Sequence, residues 1–157
     1  MASLGPTHGK ETTANKGAFS PANVRDEHQL DFEITFFTDI LDRHPNHVDA
    51  LRALANNLTL KGRIRDGLEM DKRLVRLRPK DALAHYNLAC SYALLRNVDA
   101  ALTTLRRAIE LGYRDFHYLR QDKDLDSIRQ DPRYRQLLRE FEGKLGHSRL
   151  VSPPKAS

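Results

Sequence analysis

Cysteine is almost missing from this chain. Cys90 is the single thiol in 157 residues, which excludes an intramolecular disulfide and a multi-cysteine metal site and agrees with a reducing compartment. Long apolar runs are missing too: no window approaches the roughly 18 uncharged apolar residues of a spanning helix, and the N-terminal stretch lacks the apolar core of a secretory signal. No membrane association and a cytoplasmic location are therefore the expectations. There is no phosphate-binding glycine loop and no G-x-S-x-G element, and no alternating stretch is bounded like a strand. What remains is 39% hydrophobic and 30% charged residues, enough for one folded domain with a strongly solvated surface.

Lysine and arginine number 26 against 21 acids, a net +5, which favours anionic partners such as acidic peptides or nucleic acid. Residues 1–45 carry four basic and seven acidic side chains (−3), residues 46–113 twelve and seven (+5), and residues 114–157 ten and seven (+3). The densest basic cluster is Lys61, Arg63, Arg65, Lys72, Arg73, Arg76, Arg78 and Lys80. No aromatic lies between His44 and His85 to give nucleic acid a stacking platform, so a solvated helix face is the simpler reading and nucleic-acid binding is not expected.

Residues 1–19 hold too few large apolar side chains to offset the entropy of ordering, and residues 146–157 lack periodicity and contain Pro153-Pro154; both read as flexible tails. Between them, over 20–145, apolar residues recur at helical spacing. Ser20-Pro21 fits a helix start and the helix runs to Arg43, with Leu30, Ile34, Phe37, Ile40 and Leu41 as its buried stripe. Asn46 is the expected cap of the next helix, which carries Leu51, Leu54, Ala55 and Leu58 up to the break at Lys61-Gly62. Ile64, Leu68, Leu74 and Val75 mark a third, ending before Pro79.

A fixed period then appears. Pro45 and Pro79 stand 34 residues apart, and the same step carries Ala50 to Ala84, Leu54 to Leu88, Ala55 to Ala89, Leu60 to Leu94, Leu68 to Leu102 and Leu77 to Leu111. A helix, a turn and a second helix in 34 residues form the tetratricopeptide unit, and residues 46–79 and 80–113 resemble two such repeats. In the second, Leu88, Ala89 and Tyr92 sit where the family's first helix expects them, and Ala101, Leu105 and Ala108 match its second. The first places Asp71 where the family has a large apolar residue, marking weakened packing or a paired or solvated carboxylate. Residues 115–145 resemble the closing segment of bacterial tetratricopeptide arrays, with Asp131-Pro132 as a cap and Tyr134, Leu137, Leu138 and Phe141 as one apolar face. The resemblance implies an all-α, short helical-hairpin superhelix.

It also implies a concave binding groove lined by Asp49, Arg52, Asn56, Tyr86, Asn87 and Cys90, with His117 and Gln121 following if the register continues. Arg52, Asn56 and Asn87 occupy three positions with which related domains clamp a peptide's C-terminal carboxylate; at the two remaining basic positions stand His117 and Gln121. On this reading Arg52 meets an anionic group, the asparagines meet backbone amides, Tyr86 makes a stacking or apolar contact, and the function is that of a non-catalytic adaptor for a protein or peptide segment. No cofactor, metal or catalytic residue is expected. Asp122-Lys123-Asp124-Leu125-Asp126 lacks the glycine and bidentate glutamate of a calcium loop and reads as helix caps. His44 and His47 do not share a helix face, and Cys90 has no histidine near it in sequence. Phe32 and Phe36 lie off their helix's apolar stripe, either packed under the N-terminal segment or exposed to another chain. The competing readings are electrostatic nucleic-acid binding through the basic helix, and a structural subunit or homo-oligomer docking through residues 21–43.

Overall fold

The computed structural model describes residues 27–148. Among them no strand forms and the chain is helical throughout: α1 (Glu27–Arg43), α2 (Val48–Leu60), α3 (Ile64–Leu77), α4 (Ala82–Leu94), α5 (Val98–Glu110), α6 (Phe116–Gln121), α7 (Asp126–Arg129) and α8 (Pro132–Ser148), with a 3-10 turn at Lys123–Leu125. The all-α expectation holds. None of the described helices is long and apolar enough to cross a membrane. The expected cap at Ser20-Pro21 and the N-terminal tail lie outside the described residues, as does the C-terminal tail beyond Ser148. Helix α8 continues through 146–148, past the point where the sequence suggests the tail begins. Gly146 penalises a helix by about 1 kcal/mol without forbidding it.

The 34-residue period is visible in the backbone. At the end of α2, Lys61 N–H donates to Asn57 C=O, Gly62 to Thr59 and Arg63 to Leu58; at the end of α4, Leu95 donates to Ser91, Arg96 to Ala93 and Asn97 to Tyr92. Each bond of the second set lies one period after its counterpart. The starts of α2 and α4 also correspond. Asp81 Oδ1 accepts from Ala84 N at 3.0 Å, and one period earlier it is His47 Nδ1, not Asn46, that accepts from Ala50 N at 3.1 Å. The starts of α3 and α5 do not match in this way: Asn97 Oδ1 accepts from Ala100 N at 3.3 Å, while its counterpart Arg63 makes no side-chain cap bond.

One residue works against this geometry. Gly62 turns the first hairpin at φ 82, whereas its counterpart Arg96 sits at φ 59, a left-handed conformation that costs an L-residue about 1 kcal/mol. Arg96→Gly should raise stability by about 0.5 kcal/mol after the glycine's extra unfolded-state entropy is deducted. A thermal melt that fails to rise would mean the arginine side chain compensates for its backbone.

Helices α1 to α5 each pack on the next. Two clusters of buried residues form the core. One joins Leu41, Ala50, Leu51, Leu54, Leu58, Leu74 and Ala84, with Ile34, Phe37 and Ile40 packed against it. The other joins Tyr86, Ala89 and Ala93 to Ala101, Leu105 and Ile109 and closes over Phe116, Leu119, Leu125, Ile128, Tyr134, Leu137 and Leu138. Helix α4 contributes to both. Gly67 lets α3 approach α2 closely, since a Cβ there would stand 2.8 Å from Thr59 Oγ1 and 3.1 Å from the Ala55 carbonyl.

Between the clusters runs a polar seam. Asp71 is 3% exposed, and it accepts a hydrogen bond from Ser91 Oγ at 2.7 Å. Of the readings left open for this aspartate, the structure selects a paired carboxylate. A similar pair joins α2 to α1, where buried Asn57 donates to Glu33 Oε2 at 2.8 Å.

Candidate functional site

An open groove of about 460 Å³ runs across α2, α4 and the segment that follows α5. Helix periodicity explains which residues reach it. On α4, Ala84, Leu88 and Ala89 are committed to the core, which leaves Leu83, Tyr86, Asn87 and Cys90 to line the groove; α2 supplies Ala55, Asn56 and Thr59, and Asp71 reaches it from α3. The far end is built from Tyr113, Asp115, Tyr118, Asp122 and Asp124.

That end is a hydrogen-bonded aromatic and acidic cluster. The Tyr86 and Tyr113 rings stack with centroids 4.1 Å apart and 3° between planes, and Tyr118 tilts against Tyr86 at 6.4 Å. Tyr86 Oη donates to Asp122 Oδ2 at 2.6 Å, Cys90 Sγ donates to the same oxygen at 3.7 Å, and Asp122 Oδ1 caps the 3-10 turn by accepting from Asp124 N at 3.0 Å. The aspartates of 122–126 thus include a helix cap, as the sequence suggests. Burial drives both the Tyr86 phenol and the Cys90 thiol well above their ordinary pKa, with nearby negative charge adding to it. Burial likewise pushes Tyr113 up to about 12. Tyr118 is raised by the Asp122 carboxylate and then by burial; Asp124 is raised by burial and then by Asp122 and Asp126. At the seam, burial lifts Asp71 to about 6 against the pull of Ser91 and Arg52.

The ligand atoms of Cys90, Asp122 and Asp124 lie within 4.8 Å of one another. Their arrangement is that of a proton-donating thiol on a carboxylate that Tyr86 also occupies. A metal would have to displace both protons from the shared oxygen, and the raised thiol pKa opposes the thiolate such a site needs.

Of the residues expected in the groove, the structure brings Asn56, Tyr86, Asn87 and Cys90 together and leaves Asp49, Arg52, His117 and Gln121 out of the lining. Arg52 Nη2 is held by Asp81 Oδ2 at 2.8 Å, so one arm of the guanidinium assigned to an anionic group is already paired, while Nη1 is buried with no hydrogen-bond partner among the described residues. Helix α6 buries Phe116 and Leu119, which turns His117 and Gln121 to solvent, where they bond each other at 3.2 Å. The five-residue carboxylate clamp is therefore not assembled. In place of His117 and Gln121 stand their neighbours Tyr118 and Asp122. The aromatic and acidic residues from Tyr113 to Asp124 are present in the sequence without a periodic pattern, and the structure places Tyr113, Asp115, Tyr118, Asp122 and Asp124 in the groove lining.

A second cavity, about 440 Å³, lies beside α1 and shares Asn56 with the groove; Phe32, Phe36 and Phe37 form its apolar side. Phe32 and Phe36 are 69% and 49% exposed and stack at 6.3 Å, so they stand open on the surface. Within the basic cluster, Lys61 pairs with Asp31, Arg63 with Asp66 and Lys72 with Glu69, and Arg73 donates to the Pro45 carbonyl. Half of it is thus tied to local acceptors.

No protein-family model matches the chain. A curated relative, a chloroplastic protein of Arabidopsis thaliana, is 33% identical over 84 residues, covering 52% of this chain and 25% of that protein. The chain thus matches a quarter of its relative's length.

Proposed function

We propose that this chain is a tetratricopeptide-type, non-catalytic adaptor that holds an extended segment of another protein in the groove between α2, α4 and α6. The turn bonds that recur one period apart support the repeat reading. The observation that carries the binding role is the groove itself, about 460 Å³, within the range of ligand pockets. Asn56 and Asn87 line it, two amides suited to hold a peptide backbone. The cytoplasm is the location we favour, with which a chain of one cysteine agrees.

Capture from native lysate, followed by an affinity measurement with the purified partner, tests this. The double variant Asn56→Ala/Asn87→Ala is expected to lose at least about tenfold in affinity, or about 1.4 kcal/mol. Charge reversal of Lys72, Arg73 and Arg76 on the outer face should leave binding within about twofold. The opposite pattern would place the binding surface on the basic helix and end the groove assignment.

A further inference from the structure

The charge of the groove runs against the charge of the chain. The sequence carries a formal +5, yet among the described residues no lysine or arginine lines the groove, and four aspartates do: Asp71, Asp115, Asp122 and Asp124. Several acids elsewhere are matched locally: Asp81 with Arg52, Asp99 and Asp131 with Arg133, Glu140 with Arg106 and Lys144. Among the described residues none of the groove's aspartates has an ion-pair partner. Asp71 and Asp122 are taken up by hydrogen bonds from Ser91, Tyr86 and Cys90. Asp115 is exposed and caps α6 through Oδ1, which accepts from Tyr118 N–H at 2.9 Å, and Asp124 is half-buried, so each keeps carboxylate oxygen for whatever enters. Between them Tyr118, 52% exposed, offers a ring next to the stacked Tyr86 and Tyr113. A cation gains on both counts, from unpaired carboxylates and from an aromatic face, while an anion would be repelled by all four acids.

Granted the groove reading above, on which this rests, we infer that the bound segment is basic, with an arginine or lysine side chain entering between Tyr118 and the carboxylates of Asp115 and Asp124. This replaces the acidic partner that the overall charge suggests. The rest of the segment then runs along Asn87 and Asn56, and because Asn56 also borders the second cavity, an apolar side chain of the same segment reaches Phe32 and Phe36.

The test uses the full chain, 15N-labelled, titrated with two nonapeptide libraries that differ only in carrying Lys or Arg, or else Glu or Asp, at alternate positions, with a Gln library as the neutral reference. The basic library is expected to move the amide resonances of Asn56, Asn87 and Tyr118 and to bind at least about tenfold more tightly than the acidic one. In Asp115→Asn/Asp124→Asn that preference should fall by about tenfold and its salt dependence should flatten; asparagine keeps the α6 cap, so folding is retained. Acidic or neutral peptides binding equally well at the same resonances would overturn the basic class while leaving the groove intact. If no library moves groove resonances, both readings fall. Groove resonances that shift when residues 149–157 are deleted would transfer the site from a partner to this chain's own Arg149 and Lys155, and overturn the partner assignment.

Discussion

Replacing Asp71 by asparagine should make the domain more stable at neutral pH. The folded carboxyl holds its proton to about 6, against 3.8 when free, because the seam between α3 and α4 excludes water. A carboxyl raised in this way favours the folded state while protonated. Its contribution is therefore fully present below the free value of 3.8 and is lost progressively as pH rises from there through about 6. The full difference is on the order of 2–3 kcal/mol. Asparagine keeps a hydrogen-bonding partner for Ser91 and removes the buried charge; its melting temperature should exceed wild type at pH 7, with the gap narrowing steadily below pH 6 and closing at the acid end of that window. Urea titrations at pH 7 and at the free carboxyl value read both quantities. A variant that is less stable at pH 7, or that keeps the wild-type pH slope, would show that Arg52 and Ser91 fully compensate the charge.

The second large effect concerns α8. Removing the chain from Asp131 onward should abolish cooperative melting. Tyr134, Leu137 and Leu138 are at most 7% exposed and belong to the same cluster as Leu105, Leu119 and Ile128. At about 1.5–3 kcal/mol for each large side chain, their loss withdraws about 5–9 kcal/mol, comparable with the whole stability of a domain this size. The ion pairs of this helix matter far less. Glu140 with Arg106 at 3.0 Å and Arg133 with Asp99 at 2.7 Å are largely solvated, and Glu140→Gln should leave the melting transition almost unchanged. Far-UV circular dichroism of the truncated chain gives the answer: retained helicity with a sharp transition would mean that the preceding helices close the core by themselves.

The helices were legible because each sets apolar residues at three- and four-residue spacing and the second hairpin copies the first. Ala50 and Ala84, Leu54 and Leu88, Ala55 and Ala89, Leu68 and Leu102 are all buried, so the 34-residue step marked equivalent environments as well as equivalent letters. The groove was legible as far as α2 and α4 carry it, through Asn56, Tyr86, Asn87 and Cys90. It was not legible beyond Tyr113. Extending the period into α6 predicts His117 and Gln121, but a helix of six residues orients itself by Phe116 and Leu119, and no periodic rule anticipates that. Nor does sequence spacing show that Arg52 meets Asp81, a pairing between side chains 29 positions apart. That contact takes up one arm of the cation that the repeat register places in the groove.

The two-part core has a dynamic consequence. Because α4 is shared by two apolar clusters while Asp71 and Ser91 interrupt the packing between them, α1–α3 and α5–α8 form two blocks hinged on α4. The groove crosses the same line, with Asn56 on one block and Tyr118 on the other. An occupant therefore acts as a splint: part of its binding energy goes into suppressing the hinge, and amide protons in both blocks slow their exchange together even where nothing touches the ligand.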